Sequence, residues 1–281
     1  MIQKDSTYVV MGLLDSDSIA YAAGKSIQQA GGKVIFTVQN ERMKRIFFDR
    51  SDKLSPEEKS ALNIEFCEVT SEREVRELFG RLGPIAGVVH SIAYANPKTC
   101  LGEEIYTDAI EDIKLAYHIS CVSLATIAHY AQPNMKDGGS IVALSFESQK
   151  AFPYYNWMGV NKAALEALVR GLARRYGRDL VRINAVSAGP LSTKAAKSIP
   201  HFAHLARIWK KVSPIPWDVV NDKIEVAHAV LFLLGIYSKK ITGQVLYVDG
   251  GASVMGGDLL PYERIPGLDE VAHEHGINLE P

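Results

Sequence analysis

The sequence predicts an α/β fold, a single doubly wound parallel sheet of about seven strands flanked by helices. Three observations lead there. Short apolar runs of strand length alternate with segments of helical period. The runs are apolar at successive positions, as in strands covered on both faces. No linker or low-complexity stretch divides the chain.

The elements follow in order. A run at 8–11 (Tyr-Val-Val-Met) precedes an alanine-rich helical segment at 18–30. After Gly31-Gly32, which breaks it, comes a second run at 34–37. A third, at 63–67, leads to a polar-apolar helical segment at 72–82, and a fourth, at 87–91, to a long helical stretch near 110–131. A fifth strand is expected at 140–144, then a helix near 156–176, then strands at 181–186 and 244–248. Within 156–176, Leu165, Leu168, Val169, Leu172, Ala173 and Tyr176 form one apolar stripe, while Ala163, Ala167 and Gly171 form a second stripe of small residues. The second stripe lies either against another helix of the same chain or at a surface of self-association. We read 1–255 as one catalytic domain and 256–281, polar and rich in proline, as a C-terminal tail that is packed on the surface or disordered.

Composition narrows the function classes. The chain of 281 residues is 47% hydrophobic and 22% charged, with a formal net charge of −1. That balance favours neither nucleic acid nor an anionic membrane surface as partner. The N-terminal Met1-Ile2-Gln3-Lys4-Asp5-Ser6 has no apolar core, so no signal peptide is expected. The apolar stretch at 229–234 is far too short to span a membrane. Cys67, Cys100 and Cys121 are widely spaced and match no metal-ligand pattern, so free thiols, a cytoplasmic setting and no metal are expected.

A nucleotide site in such a sheet sits at the carboxyl ends of the strands. Gly12 follows the first strand and permits a tight turn with close backbone approach. Ser18 is placed to cap the next helix and donate to a phosphate, and that helix N-terminus favours an anion. The three-glycine fingerprint is absent. The second strand ends in Gln39-Asn40, which can hydrogen-bond ribose or adenine but adds no charge. Arg42 and Lys44 come later, so NADH is expected over NADPH.

The segment 145–162 carries the chemistry. Ketone reductases of this architecture pair a tyrosine with a lysine four residues on, but here Met158 stands four before Lys162 and cannot give a proton. The nearest phenol is Tyr155, seven before Lys162. Seven residues are about two helical turns, so both side chains face one way.

These residues, with others in order, identify the resemblance. The chain resembles the enoyl-[acyl-carrier-protein] reductases of bacterial type II fatty-acid synthesis, in the short-chain dehydrogenase/reductase superfamily with its Rossmann-like sheet. The likeness runs to about Met255. It rests on Gly12 with Ser18-Ile19-Ala20, Thr37 with Gln39-Asn40, Cys67-Glu68-Val69, and His90-Ser91-Ile92-Ala93-Tyr94-Ala95. It continues through Tyr155 with Met158-Gly159 and Lys162, Ala188-Gly189-Pro190-Leu191-Ser192-Thr193, Thr242-Gly243 and Asp249-Gly250-Gly251.

The resemblance implies roles. Tyr155 would be the active-site tyrosine and Lys162 the ribose-binding lysine. Gly12, Ser18 and Ile19 would lie along the pyrophosphate. Gln39, Glu68 and Val69 would lie at the adenosine end, and Ser91, Ile92 and Ala93 toward the nicotinamide. Pro190, Leu191 and Thr193 would hold carboxamide and phosphate. Phe146 and Met158 flank Tyr155 and would line the acyl pocket, with Tyr94 and Ala95 near the thioester. The segment 194–211, with Ala195, Ala196 and Ile199 and with Pro200 interrupting any helix, would be a mobile lid for medium-length chains.

Several positions depart from the family pattern. Phe146 stands where many members have a second tyrosine, Glu68 where Asp is usual, Ser192 where Arg is common, and Ala93 where glycine is frequent. Phe146, 155–158 and 214–217 resemble a long-chain branch, whereas 193–214 has the short family length.

The implied reaction is conjugate reduction of a trans-2-enoyl thioester, carried by acyl carrier protein or coenzyme A, with hydride from NADH. Tyr155 would donate to the developing enolate oxygen. A homotetramer is what the family implies. Two other readings are a carbonyl or 3-oxoacyl reductase on the same fold, which Met158 opposes, and a non-catalytic dinucleotide-binding regulator, which the Tyr155/Lys162 pair opposes.

Overall fold

The computed structural model describes residues 2–257, and the expected tail lies outside them except for Gly256 and Gly257. Seven strands form one parallel sheet: β1 (Thr7–Met11), β2 (Lys33–Val38), β3 (Ile64–Phe66), β4 (Gly87–His90), β5 (Gly139–Ser145), β6 (Val181–Ala188) and β7 (Val245–Val248). Their order is β3-β2-β1-β4-β5-β6-β7. Every neighbouring pair is parallel. The expected strands all form, with ends shifted by a residue or two.

Alternation along each strand builds two cores. Val9, Met11, Val88, Ile141, Ala143, Ile183 and Ala185 face one side, with helices Glu72–Arg81, Ser123–Ala131 and Asn156–Tyr176 packed over them. Tyr8, Val10, Val89, Val142, Leu144 and Val186 face the other, beneath helices Ile19–Gln29 and Lys223–Leu234. Helix Lys223–Leu234, unassigned from the sequence, is apolar around most of its surface because it packs on both the sheet and helix Ile19–Gln29. Arg182 closes its end, donating to the carbonyls of Leu233 at 2.7 Å and Gly235 at 3.2 Å.

The long helical stretch is broken by one wide turn, His118–Val122, between helices Ile110–Tyr117 and Ser123–Ala131. That turn carries Ser120 to the loop after β4, where its hydroxyl lies 3.0 Å from both the amide and the carbonyl oxygen of Tyr94.

The 194–211 segment differs from expectation. Pro200 precedes a helix instead of interrupting one. Helix Phe202–Val212 forms, with Leu205 and Trp209 buried. The apolar positions Phe202, Leu205, Trp209 and Val212 lie on one face and dock on the third apolar cluster of the protein. No helix among the described residues is long and apolar enough to cross a membrane.

Candidate active site

The strand order reverses between β1 and β4, and a crevice opens there at the carboxyl ends of the strands. At its first wall, Gly12 adopts φ +96°, and a Cβ there would lie 2.1 Å from the Ser91 carbonyl oxygen. Only glycine fits, since both the conformation and the approach of the two loops exclude a side chain. The amides of Gly12 and Leu13 donate to the Thr37 carbonyl at 3.2 and 3.0 Å, tying the turn to β2.

Ser18 caps helix Ile19–Gln29, accepting from the Tyr21 amide at 3.1 Å, while its hydroxyl donates to the Asp15 carbonyl at 2.7 Å. Its one proton is therefore engaged. The amides of Ile19 and Ala20, in the first turn, are the groups left to face an anion. Two acids flank this turn. Asp15 is buried, with Lys194 at 3.6 Å. Asp17 pairs with Lys53 and with Lys223, the latter at 3.3 Å, and the Lys53 hydrogen bond is the main cause that holds its carboxyl below the usual range.

At the ends of β2 and β3, Gln39 donates to Glu68, whose other oxygen accepts from the Thr70 amide and hydroxyl, both at 2.9 Å. The pair sets a carboxylate beside Gln39 at the ends of these two strands, where the resemblance implies the adenosine end. The Val69 side chain is buried in the sheet core, leaving only its backbone toward the crevice. Lys44 is paired to Asp49 at 2.7 Å, and Arg42 is exposed.

Beyond β4, Ser91 donates to the Met11 carbonyl at 3.1 Å, and Ile92 packs on the core. Ala93 and Tyr94 are exposed, and Ala95 turns inward. On the far wall, Trp217 donates to the Pro190 carbonyl at 2.8 Å, Leu191 is buried, and the Thr193 hydroxyl oxygen accepts from the Ala196 amide at 3.1 Å. Its proton remains free to donate.

The reactive end is built by the loop between β5 and helix Asn156–Tyr176. Tyr154, with φ +65°, turns the chain into the helix, and Tyr155 is the residue just before it. The loop at 100–105 pins this start: Asn156 donates to Gly102 at 2.7 Å and Glu104 at 2.8 Å, and the Trp157 indole donates to Ile105 at 2.9 Å. The Tyr155 ring lies 4.8 Å from that of Phe146. Burial raises its phenol above the usual range, and no other described group engages its hydroxyl. Two turns on, Lys162 is buried and donates to the Leu144 carbonyl at 2.7 Å. Both side chains thus meet the end of β5. Burial pushes Lys162 down to about 8, opposed by the charge of Glu166.

Ala95, Phe146, Tyr155 and Met158 gather in one apolar cluster, with Ile199 packed against it. Tyr94, Ala195 and Ala196 stand outside it. The cluster also contains residues that sequence reading missed, notably Leu205 and Trp209 from helix Phe202–Val212. The Trp209 ring lies 5.2 Å from Phe146 and 5.1 Å from Phe152. Past Trp209 lies a cavity of about 180 Å³, walled mainly by Phe152, Ile208, Val212, Ala252 and Met255. The period of helix Phe202–Val212 was the available signal.

Among the described residues no group of three or more His, Cys, Asp or Glu could hold a metal ion. The crevice instead suits a dinucleotide, with a side-chain-free turn at Gly12, open amides at Ile19 and Ala20, and acceptors at Gln39 and Glu68.

Comparison with known proteins agrees. A family model described as enoyl-(acyl carrier protein) reductase matches residues 12–253. The chain is 35% identical over 258 residues to the NADH-dependent enoyl-[acyl-carrier-protein] reductase FabI of Bacillus cereus, covering 90% of this chain and 98% of that one. It is 37% identical over 253 residues to the NADPH-dependent FabI of Staphylococcus aureus, covering 88% and 96%. Among solved structures, the B. cereus reductase with NADP+ and indole naphthyridinone superposes with a TM-score of 0.81 at 33% identity, covering 90% of this chain and 98% of that one. The Anaplasma phagocytophilum reductase with NAD gives 0.81 at 30% identity, covering 93% and 97%.

Proposed function

The chain belongs to the enoyl-[acyl-carrier-protein] reductase family, and from that premise we propose how its residues perform the reaction. The protein is an enzyme of fatty-acid synthesis that reduces the carbon–carbon double bond of an enoyl-acyl-carrier-protein thioester with a nicotinamide dinucleotide.

The observation that carries the assignment of roles is the Tyr155 hydroxyl. It is buried beside Phe146, engaged by no other described group, and two helical turns from a buried lysine at the same strand end. With its phenol held protonated by burial, Tyr155 serves as a hydrogen-bond donor to the thioester oxygen, on which negative charge develops. When bound, the dinucleotide supplies the hydride for the β-carbon. Lys162 donates to the nicotinamide ribose, and its charge favours the enolate. The α-carbon takes its proton from solvent or by way of Tyr155.

Gly12, Ser18 and Ile19 form the pyrophosphate cradle, chiefly through backbone. Gln39, Glu68 and the Val69 backbone receive the adenosine end. Ser91, Ile92, Ala93, Pro190, Leu191 and Thr193 enclose the nicotinamide half. Ala95, Phe146, Met158 and Ile199 line the acyl pocket, with Tyr94, Ala195 and Ala196 at its mouth. We read the cofactor as NADH, because the Glu68 carboxylate at the ribose end disfavours a 2′-phosphate and Lys44 is held by Asp49. We read the acyl range as medium, because Trp209 stands across the pocket.

The domain spans 1–255. We read the chain as a homotetramer, as the resemblance implies; Ala163, Ala167 and Gly171, exposed on helix Asn156–Tyr176, support self-association. Three buried free thiols agree with a reducing, cytoplasmic setting. The test is turnover of crotonyl thioester with NADH. NADH oxidation that depends on the enoyl substrate is expected, and none would overturn the reading.

A further inference from the structure

We infer that Glu166 is a positioning residue that keeps Lys162 cationic in the closed interior of the active site. The inference rests on the role proposed for Lys162. Glu166 lies one helical turn beyond Lys162, on the same face of helix Asn156–Tyr176, and both are only 5% exposed. A carboxylate this deep in a domain is rare unless partnered. Its partners are hydroxyls: Ser145 donates to one oxygen at 2.6 Å and Ser148 to the other at 2.7 Å. Both serines belong to the end of β5 and the loop toward Tyr155, so the acid is clamped to the strand end that Lys162 and Phe146 also touch.

Lys162 spends its one hydrogen bond on the Leu144 carbonyl and not on Glu166. The two groups therefore act on one another through space. An ammonium in such a setting loses most of its hydration, which favours the neutral amine. The other titratable groups facing it hold its charge less than Glu166 does. Cys121, from the wide turn, is a buried thiol pushed up by burial. His90, from β4, is buried and driven down to about 3 mainly by burial and then by Lys162 itself, so it is uncharged. Tyr155 is a protonated phenol. On the far side of Glu166, Tyr247 of β7 is raised to about 12, by burial first and then by Glu147, Glu166 and Asp249. Glu166 is thus the principal group that favours the charged form of Lys162, ahead of Cys121.

The fixed acid also explains Ser145. Ser145 is buried and its hydroxyl donates to Glu166, so it orders the counter-charge.

The experiment is NADH affinity against pH, by fluorescence titration of the full chain, with melting temperature measured alongside. Wild type should lose affinity through a limb with a midpoint near 8. Glu166→Gln, which keeps the shape, should move that midpoint down by about one unit or more. Glu166→Asp should return it toward the wild-type position. Glu166→Met removes the charge without leaving an amide to satisfy and must shift the limb in the same direction, so it serves if the glutamine variant does not fold. A merely structural glutamate would lower the melting temperature and leave the midpoint in place. That outcome, with a limb present in the wild type, overturns the inference alone. A wild type without an alkaline limb overturns the role of Lys162 and the inference with it.

Discussion

The ring of Tyr155 lies 4.8 Å from that of Phe146, inclined at 56°, and no other described group takes its hydroxyl. An apolar neighbour holds the ring by packing and leaves the O–H to a ligand. A ketone reductase must deliver a proton to oxygen, and losing its acid costs roughly 10²–10⁴-fold. A conjugate reduction needs only a hydrogen bond there, because carbon takes the proton. Tyr155→Phe should therefore slow crotonyl-thioester reduction without abolishing it, with little change in NADH affinity. Wild type should not reduce acetoacetyl thioester above background. Efficient ketone reduction lost on Tyr155→Phe would move the enzyme out of conjugate reduction.

Lys162 is a second point of attack. A charged hydrogen bond contributes roughly 1.5–3 kcal/mol, so Lys162→Ala should weaken NADH binding about ten- to a hundred-fold. The sign of the pH effect follows from a base lowered to about 8: it is charged below that value and neutral above it, so affinity falls as pH rises through it. Equal affinity of wild type and variant at pH 7 would remove Lys162 from the ribose site.

We propose that cofactor choice turns on Glu68. NADH should have the larger specificity constant. Glu68→Gln should narrow the gap to NADPH by relieving repulsion at the 2′-position. A wild-type preference for NADPH would show that Arg42 reaches the phosphate.

We propose that Trp209 limits the length of the acyl pocket. It is 1% exposed, and truncation of such a residue costs about 3–5 kcal/mol of stability. Trp209→Ala should join the Tyr155 site to the cavity beyond, so that specificity constants, falling past medium chains in wild type, keep rising toward sixteen carbons. Wild type whose constants already rise beyond sixteen carbons would show that Trp209 is no barrier.

At Gly12, Gly12→Ala puts a Cβ against the Ser91 carbonyl at a φ that L side chains avoid. The turn must move, and NADH affinity should fall by more than tenfold while far-UV dichroism of the folded protein persists. Normal affinity would mean that the cofactor does not run over this turn.

Local pattern indicated most of the sheet, because strands covered on both faces are largely apolar at successive positions, as at 8–11, 88–89 and 141–144, whereas β6 carries Arg182 and Asn184, which find carbonyl partners. The spacing of Tyr155 and Lys162 likewise predicts that both side chains face one way; Tyr155 stands at the start of the helix that carries Lys162, and both meet the end of β5. Pro200 reads as a breaker of the 194–211 segment, yet it lies two residues before helix Phe202–Val212 and leaves the helix intact. What tertiary structure decided were the pairings between distant segments. Glu68 with Gln39, Trp209 across Phe146, and Glu166 clamped by Ser145 and Ser148 each join residues brought together by strand order and helix docking. No local period encodes such contacts. The charge state of Lys162 depends on them as well, because burial and the carboxylate that opposes it exist only once the sheet and helix have packed.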